Sequence, residues 1–402
     1  MRIAFLCTSG LDNASPRGRW LPLASELAKL GHEPHLLLLH PTFDRMKDGE
    51  RDFVQTGVRI QHVAQMHVYG LPGERRYFGA MELARVSWHA AGALTKATLT
   101  LKPDLIHICK PQPINGLAGW RAARALRLPF HLDCDDYEAG ANRVSSTAQR
   151  AIITWWEDHL PRHAKGVTVN TRFLFERVQA QGVPAVHIAH VPNGVSDDAV
   201  EPMALPPAIA TWAGCPTLAY VGTLSTVAHG VDLLLDAFAL VLRAMPEAKL
   251  LMVGDGDDRA GLLDQAQQLG VQHAIHWAGR VRPEEARRWF TLAACSVDPV
   301  SNTPAMRGRS PLKIVESLAA GVPVVTSDVG DRREMLANGE AGVLVQAGQA
   351  GALAEGLLAV LMDASLQVQL AQGARQQSAA YRWQALTKRW LELYHQNKNA
   401  GS

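Results

Sequence analysis

The sequence predicts an α/β protein built from two doubly wound, Rossmann-like domains facing a cleft. Three observations carry this. Short apolar runs alternate with longer amphipathic ones through the first half, as in a parallel sheet covered on both faces. A Pro-rich break falls near 200–215, and the same rhythm restarts after it. At 402 residues the chain exceeds what one compact core organises.

In the first half the apolar runs predict strands at 3–7, 35–40, 58–63, 104–109, 129–134 and 166–170. Helices are expected at 19–30, closed by Gly31, at 79–101 and at 115–126. The second half predicts strands at 217–221, 249–253, 274–277, 295–299, 323–327 and 342–345. Helices at 231–244, 283–292 and 312–320 separate them. A last helix, 374–395, carries Trp383, Leu386, Trp390, Leu393 and Tyr394 as a packing stripe. The expected organisation is a first domain over 1–200, a second over 201–373, and a C-terminal helix over 374–402 packing back towards the first.

Composition narrows the function. A net charge of +2 argues against a nucleic-acid partner. The five cysteines are scattered without a CxxC pair, which fits thiols in a reducing compartment. The apolar start at 3–7 is interrupted by Asp12, Asn13, Pro16 and Arg17, and no run approaches the ~18–20 apolar residues of a membrane span. A cytoplasmic protein is expected, with peripheral membrane contact at most. Trp155 and Trp156 beside Arg150, and Trp88 near Arg85 and Lys96, read either as core packing or as a patch for anionic lipid.

The segment Arg307-Gly308-Arg309-Ser310-Pro311-Leu312-Lys313-Ile314-Val315-Glu316 is the most informative. Ser310 suits an N-cap, Pro311 the first helical position and Gly321 the C-cap. A helix start preceded by two arginines makes an anion site, and Lys313 adds a point charge. Glu316, one turn on, is positioned to accept two ribose hydroxyls. The plainer alternative is a capped helix with a Lys313–Glu316 surface pair. A second strand-to-helix loop holds Gly222, Thr223 and His229, and a third holds Gly254 and Gly256. The third lacks the complete GxGxxG pattern of a nicotinamide cofactor.

Taken in order, Tyr220–Gly230, Val253–Gly256, Ala278-Gly279-Arg280-Val281, Pro311–Val325 and Ser327–Gly330 resemble the family-4 retaining glycosyltransferases of GT-B fold. Val191-Pro192-Asn193-Gly194-Val195 is similar to that family's interdomain segment, and the first half matches more loosely at Leu30-Gly31-His32-Glu33. The resemblance implies a nucleotide-sugar donor held by the second domain. Glu316 would bind the ribose, and Ser310, Pro311 and Leu312 would meet the diphosphate or sugar. Gly222, Thr223 and Gly254 would line the phosphates, and Arg280 and Val281 would border the base. The family's Glu eight positions before Glu316 is Gly308 here, and its phosphate-clamping Arg and Lys fall on Thr223 and His229. Lys313, Arg309, Arg307 and a protonated His229 are the expected compensating cations.

The first domain would hold a sugar or lipid-linked acceptor, with Arg17 and Gly18 in the loop after the first strand and Asp135 and Asp136 after a later one. Asp135 is the expected acceptor-orienting carboxylate; the alternative for this acidic loop is a turn or N-cap. No cofactor and no metal are expected, the nucleotide sugar being a substrate. Bacterial glycan or glycolipid assembly is the expected setting, by family analogy. A nucleotide-sugar 2-epimerase, a silent nucleotide-sugar-binding protein and a dehydrogenase remain as alternatives.

Overall fold

In the computed structural model, which describes residues 1–70, 76–141 and 146–399, the chain divides into two units. One comprises Met1–Ser196, Gly308–Ser310 and the chain from Trp383 on; the other comprises Asp197–Arg307 and Pro311–Arg382.

The first unit's strands are β1 (Arg2–Leu6), β2 (Glu33–His40), β3 (Asp52–Gln55), β4 (Val58–Gln65), β5 (Val68–Tyr69), β6 (Arg76–Tyr77), β7 (Leu105–Cys109), β8 (Phe130–Cys134), β9 (Gly166–Val169) and β10 (Ile188–His190). Eight form one sheet in the order β10-β9-β8-β7-β1-β2-β4-β3; β5 and β6 make a separate ribbon. Among the described residues, only the β3 edge is antiparallel in the main sheet. Strand order reverses between β1 and β7, the switch point at which such sheets bind ligands.

Side chains alternate between the faces. Ala4, Leu6, Leu37, Leu39, Ile106 and Ile108 face one core, while Ile3, Phe5, Leu36 and Leu38 face the other. The helix Trp383–Asn399 covers the second face with Trp383, Leu386, Trp390 and Tyr394, so its stripe is a packing face. Here Trp390 Nε1 donates to the Tyr394 hydroxyl at 2.8 Å, and that hydroxyl is 2.9 Å from His107 Nδ1.

Burial, partly offset by Asp133, pushes the His107 imidazole down to about 3, so it folds neutral. A histidine whose folded value is depressed contributes stability above its unfolded value of about 6.5 and loses it as pH falls towards 3. Between pH 6 and 4, the stability advantage of the wild type over His107→Gln should therefore shrink by about 1.4 kcal/mol per pH unit. Urea unfolding at several pH values measures this; a constant difference would contradict it.

The second unit's strands are β11 (Thr217–Val221), β12 (Lys249–Val253), β13 (Ile275–Gly279), β14 (Cys295–Asp298), β15 (Val324–Ser327) and β16 (Gly342–Val345). They form an all-parallel sheet in the order β13-β12-β11-β14-β15-β16, with its switch point between β11 and β14. Leu218, Tyr220, Leu250 and Met252 face one core; Ala219, Val221, Leu251 and Val253 face the other.

Two expectations change. Residues 200–215 are not a free linker. The second unit begins at Asp197, where Ile209 is buried and Met203, Leu205 and Trp212 pack beside Trp289 and Phe290. The C-terminal helix is also not continuous from 374. The helix Ala364–Ser378 tightens into a 3-10 turn, Arg382 turns extended, and the Trp383 N–H donates to the Val195 carbonyl at 3.0 Å. The unit boundary accordingly falls between Arg382 and Trp383. Among the described residues no single helix is long and apolar enough to cross a membrane.

Candidate functional site

In the second unit, the strand ends of β11, β12 and β13 nest backbone against backbone. Gly222 N–H donates to the Val253 carbonyl at 2.9 Å, Leu224 N–H to Asp255 at 3.1 Å and Gly254 N–H to Gly279 at 2.8 Å. A Cβ on Gly254 would overlap the Gly222 carbonyl oxygen, so glycine is required there by packing. Both N–H groups are thus committed within the loop. What Gly222 leaves open is its α-carbon, where a Cβ would stand 3.3 Å from Lys313 Cε.

Lys313 lies on the helix Leu312–Ala319, which packs its apolar face with Ile314, Val315 and Leu318 fully buried. The same helix carries the Lys313 stem inward, so the ammonium is itself buried. It stands 3.3 Å from Asp298 Oδ1 at the end of β14 and 4.3 Å over the Tyr220 ring. Asp298 also accepts from Arg332 Nε at 2.7 Å. Burial alone would raise the Asp298 carboxyl, but Arg332 and Lys313 outweigh it and hold it ionised, well below the usual carboxylate range. The Lys313–Glu316 surface pair is thereby replaced: Lys313 pairs with Asp298 in the interior.

Glu316 is half-buried one turn further along. Burial pushes its carboxyl up to about 7, with Arg287 and Lys313 opposing. Thr223 is exposed, and its carbonyl accepts from the Tyr220 hydroxyl at 2.7 Å. His229 ends the short helix Thr226–His229 and is close enough to Asp298 to stabilise its charge. Arg280 is exposed just past β13, while Val281 packs beside Trp289 and Phe290.

Ser310 does not cap the helix. The helix starts at Leu312 with Pro311 in the cap position and no side-chain cap. Asn193 takes Ser310 instead: its N–H donates to Ser310 Oγ at 3.0 Å, and its Nδ2 donates to the Ser310 carbonyl at 2.8 Å. Ser310 and Arg309 therefore group with the first unit, and Arg309 lies 4.0 Å from Asp136. Arg307 is exposed and donates to Asn302 at 2.7 Å. Of the cations expected to compensate, Lys313, His229 and Arg307 belong to the second unit and Arg309 to the first.

In the first unit the acidic loop after β8 splits by depth. Asp133 is fully buried and accepts from Arg19 Nε and Nη2, at 2.7 and 2.8 Å, and from Trp20 Nε1 at 2.8 Å. Asp135, Asp136 and Glu138 gather around the Lys110 ammonium at 3.0, 2.7 and 3.0 Å. Their oxygens lie close enough to share a cation, and this ammonium supplies one. Burial pushes Asp135 up to about 7 against the pull of Lys110. Arg17 is exposed and pairs with Asp12 at 3.5 Å. Gly18 sits inside a π-helical turn, Pro16–Trp20, rather than an open loop. Lys110, Asp298 and Tyr220 are the site residues that sequence reasoning missed. A Lys and an Asp closing apolar runs were the available signals for the first two.

Two domain families match the chain: "Glycosyl transferase 4-like domain" over residues 17–194 and "Glycosyl transferases group 1" over residues 215–363. A phosphatidyl-myo-inositol mannosyltransferase of Mycobacterium leprae is 32% identical over 262 residues, covering 64% of each chain. This chain thus spans slightly under two thirds of that relative's length. The protein of the same name from Mycolicibacterium smegmatis is 26% identical over 420 residues, covering 100% of this chain and 95% of the other. Among solved structures, sucrose-phosphate synthase from Thermosynechococcus elongatus superposes with a TM-score of 0.79 at 19% identity, covering 100% of both chains. The Anabaena protein HepE in complex with UDP and glucose does so at 0.72 and 18%, covering 98% of this chain and 99% of that one.

Proposed function

We propose, from the premise that this chain belongs to the family-4 glycosyltransferases of GT-B fold, that it moves a sugar from a nucleoside-diphosphate donor to an acceptor hydroxyl with retention at the anomeric carbon. The observation that carries this reading is the Lys313 ammonium, fixed at the β11–β14 switch point beside Gly222, with Glu316 one helical turn away. A departing diphosphate needs positive charge at that point, and a buried cation is worth more there than in water. Leu312 opens the helix that carries Lys313, and a helix N-terminus favours an anion.

Transfer breaks the bond between anomeric carbon and diphosphate oxygen and forms one to the acceptor oxygen. The acceptor proton leaves to the departing phosphate oxygen. Lys313 stabilises the charge that develops, with His229, which also acts on Asp298, as a second cation when protonated, and neither forms a covalent bond. Glu316 receives the ribose hydroxyls in its ionised form. The nucleotide sugar is a substrate in this scheme, and no cofactor or metal is assigned.

The acceptor is proposed to be a sugar or lipid-linked hydroxyl met at a cytoplasmic membrane face. Support comes from the relatives' names and from apolar side chains on the first unit. Met81 is 89% exposed, and Trp88, 61% exposed, lies under the Arg121 guanidinium at 4.4 Å. Aromatic and basic groups together suit an anionic lipid surface.

Glu316→Ala should raise the donor dissociation constant about tenfold or more, from the loss of charge-assisted bonds. Titration calorimetry reads this directly, and an unaltered constant in the folded variant would overturn the ribose role. Because burial pushes its carboxyl up to about 7, the Glu316 contribution to donor affinity should be lost as pH drops below that value, so the affinity gap between wild type and Glu316→Gln should close.

A further inference from the structure

We propose that Asp298 is a positioning residue that holds the Lys313 ammonium in place for the donor diphosphate; the inference rests on the donor-site reading above. Asp298 ends β14, is 1% exposed, and divides its two oxygens between tasks. Oδ2 accepts from Arg332 Nε at 2.7 Å and from the Thr326 hydroxyl at 3.2 Å, which locks the carboxylate's rotamer. Arg332 is equally buried and donates from Nη1 to the Met306 and Val329 carbonyls at 3.2 Å each. The group that holds Asp298 is therefore itself immobile.

Oδ1 faces Lys313 at 3.3 Å, with the Tyr220 ring at 4.3 Å from the same nitrogen. The Tyr220 hydroxyl, tied to the Thr223 carbonyl, fixes that ring. A lysine stem is flexible and its ammonium is a point charge without preferred geometry. Carboxylate and ring face together define a slot that removes this freedom before any ligand arrives. One carboxylate between two fixed cations leaves one positive charge over, directed at the switch point.

A purely anchoring role for Asp298, holding Arg332 alone, makes opposite predictions. Removing a negative charge beside an anion site should then tighten anion binding by electrostatics alone. If Asp298 positions Lys313, Asp298→Asn should weaken nucleotide binding although the site becomes more positive.

The test is calorimetry on the intact chain with UDP, GDP and ADP. Wild type should bind one of them. Asp298→Asn should weaken that binding about tenfold, and should add less than about twofold in a Lys313→Ala background. Lys313→Arg keeps the charge but offers a planar fork to a slot shaped for an ammonium, so it should lose about as much as Lys313→Ala. Ethylammonium should restore affinity to Lys313→Ala but not to the Lys313→Ala/Asp298→Asn double variant, a rescue that an anchoring role would not make dependent on Asp298. Unchanged or tighter binding by Asp298→Asn, additive losses, or full affinity in Lys313→Arg would overturn the positioning role while leaving the donor site standing. Wild-type silence towards all three nucleotides would overturn the donor reading and this inference together. If Asp298→Asn does not fold, Lys313→Arg decides alone.

Discussion

Lys313→Ala is expected to lower turnover by about 10²–10³-fold, the usual cost of removing one preorganised group that stabilises developing charge. The expectation is this large because Lys313 is 9% exposed and already held by Asp298 and Tyr220, so no water replaces it in kind. The fold should survive, since Asp298 keeps Arg332 at 2.7 Å. Release of nucleoside diphosphate from a sugar conjugate measures the effect. A loss under about threefold would move the charge-stabilising role to His229 or another cation.

Asp133→Ala is expected to cost about 3–5 kcal/mol of stability, because it strands the Arg19 guanidinium in the interior of the first unit. Arg19 and Asp133 are 1% and 0% exposed, and the pair is tied further to Trp20, Thr168 and the Val191 carbonyl. Arg19→Met/Asp133→Leu should recover much of the loss, since an apolar pair of similar volume leaves no charge unpaired. Urea unfolding of the three proteins provides the comparison. A cost below 1 kcal/mol for the single variant would mean that water reaches the pair.

The sheets were legible because parallel strands buried on both faces are written as continuous apolar runs. The bounds of β11, β12 and β16 match their runs residue for residue. The edge strands β3 and β10 were not legible. Asp52–Gln55 is four residues long and Ile188–His190 three, so neither carries a periodic signal. Ser310 shows how a sound local rule fails: its hydroxyl suits a cap, but Asn193, 117 positions away in sequence, takes both its polar groups. The Arg19–Asp133 and Lys110–Asp135 pairs were hidden for the same reason, since sequence spacing says nothing about which strand ends become neighbours. Lys313 and Glu316 were found because one short helix carries both.

The second unit is expected to take a nucleoside diphosphate and its sugar conjugate. A thermal-shift screen of the intact protein against UDP, GDP, ADP, their sugar conjugates, NAD and NADP tests it most directly. Ligand at a hundred times its dissociation constant adds about 2.7 kcal/mol of stability, enough to register. A shift with one nucleoside diphosphate and its conjugate, lost in Glu316→Ala, is the expected result. Silence with every nucleotide, or a shift with NAD or NADP alone, would contradict it.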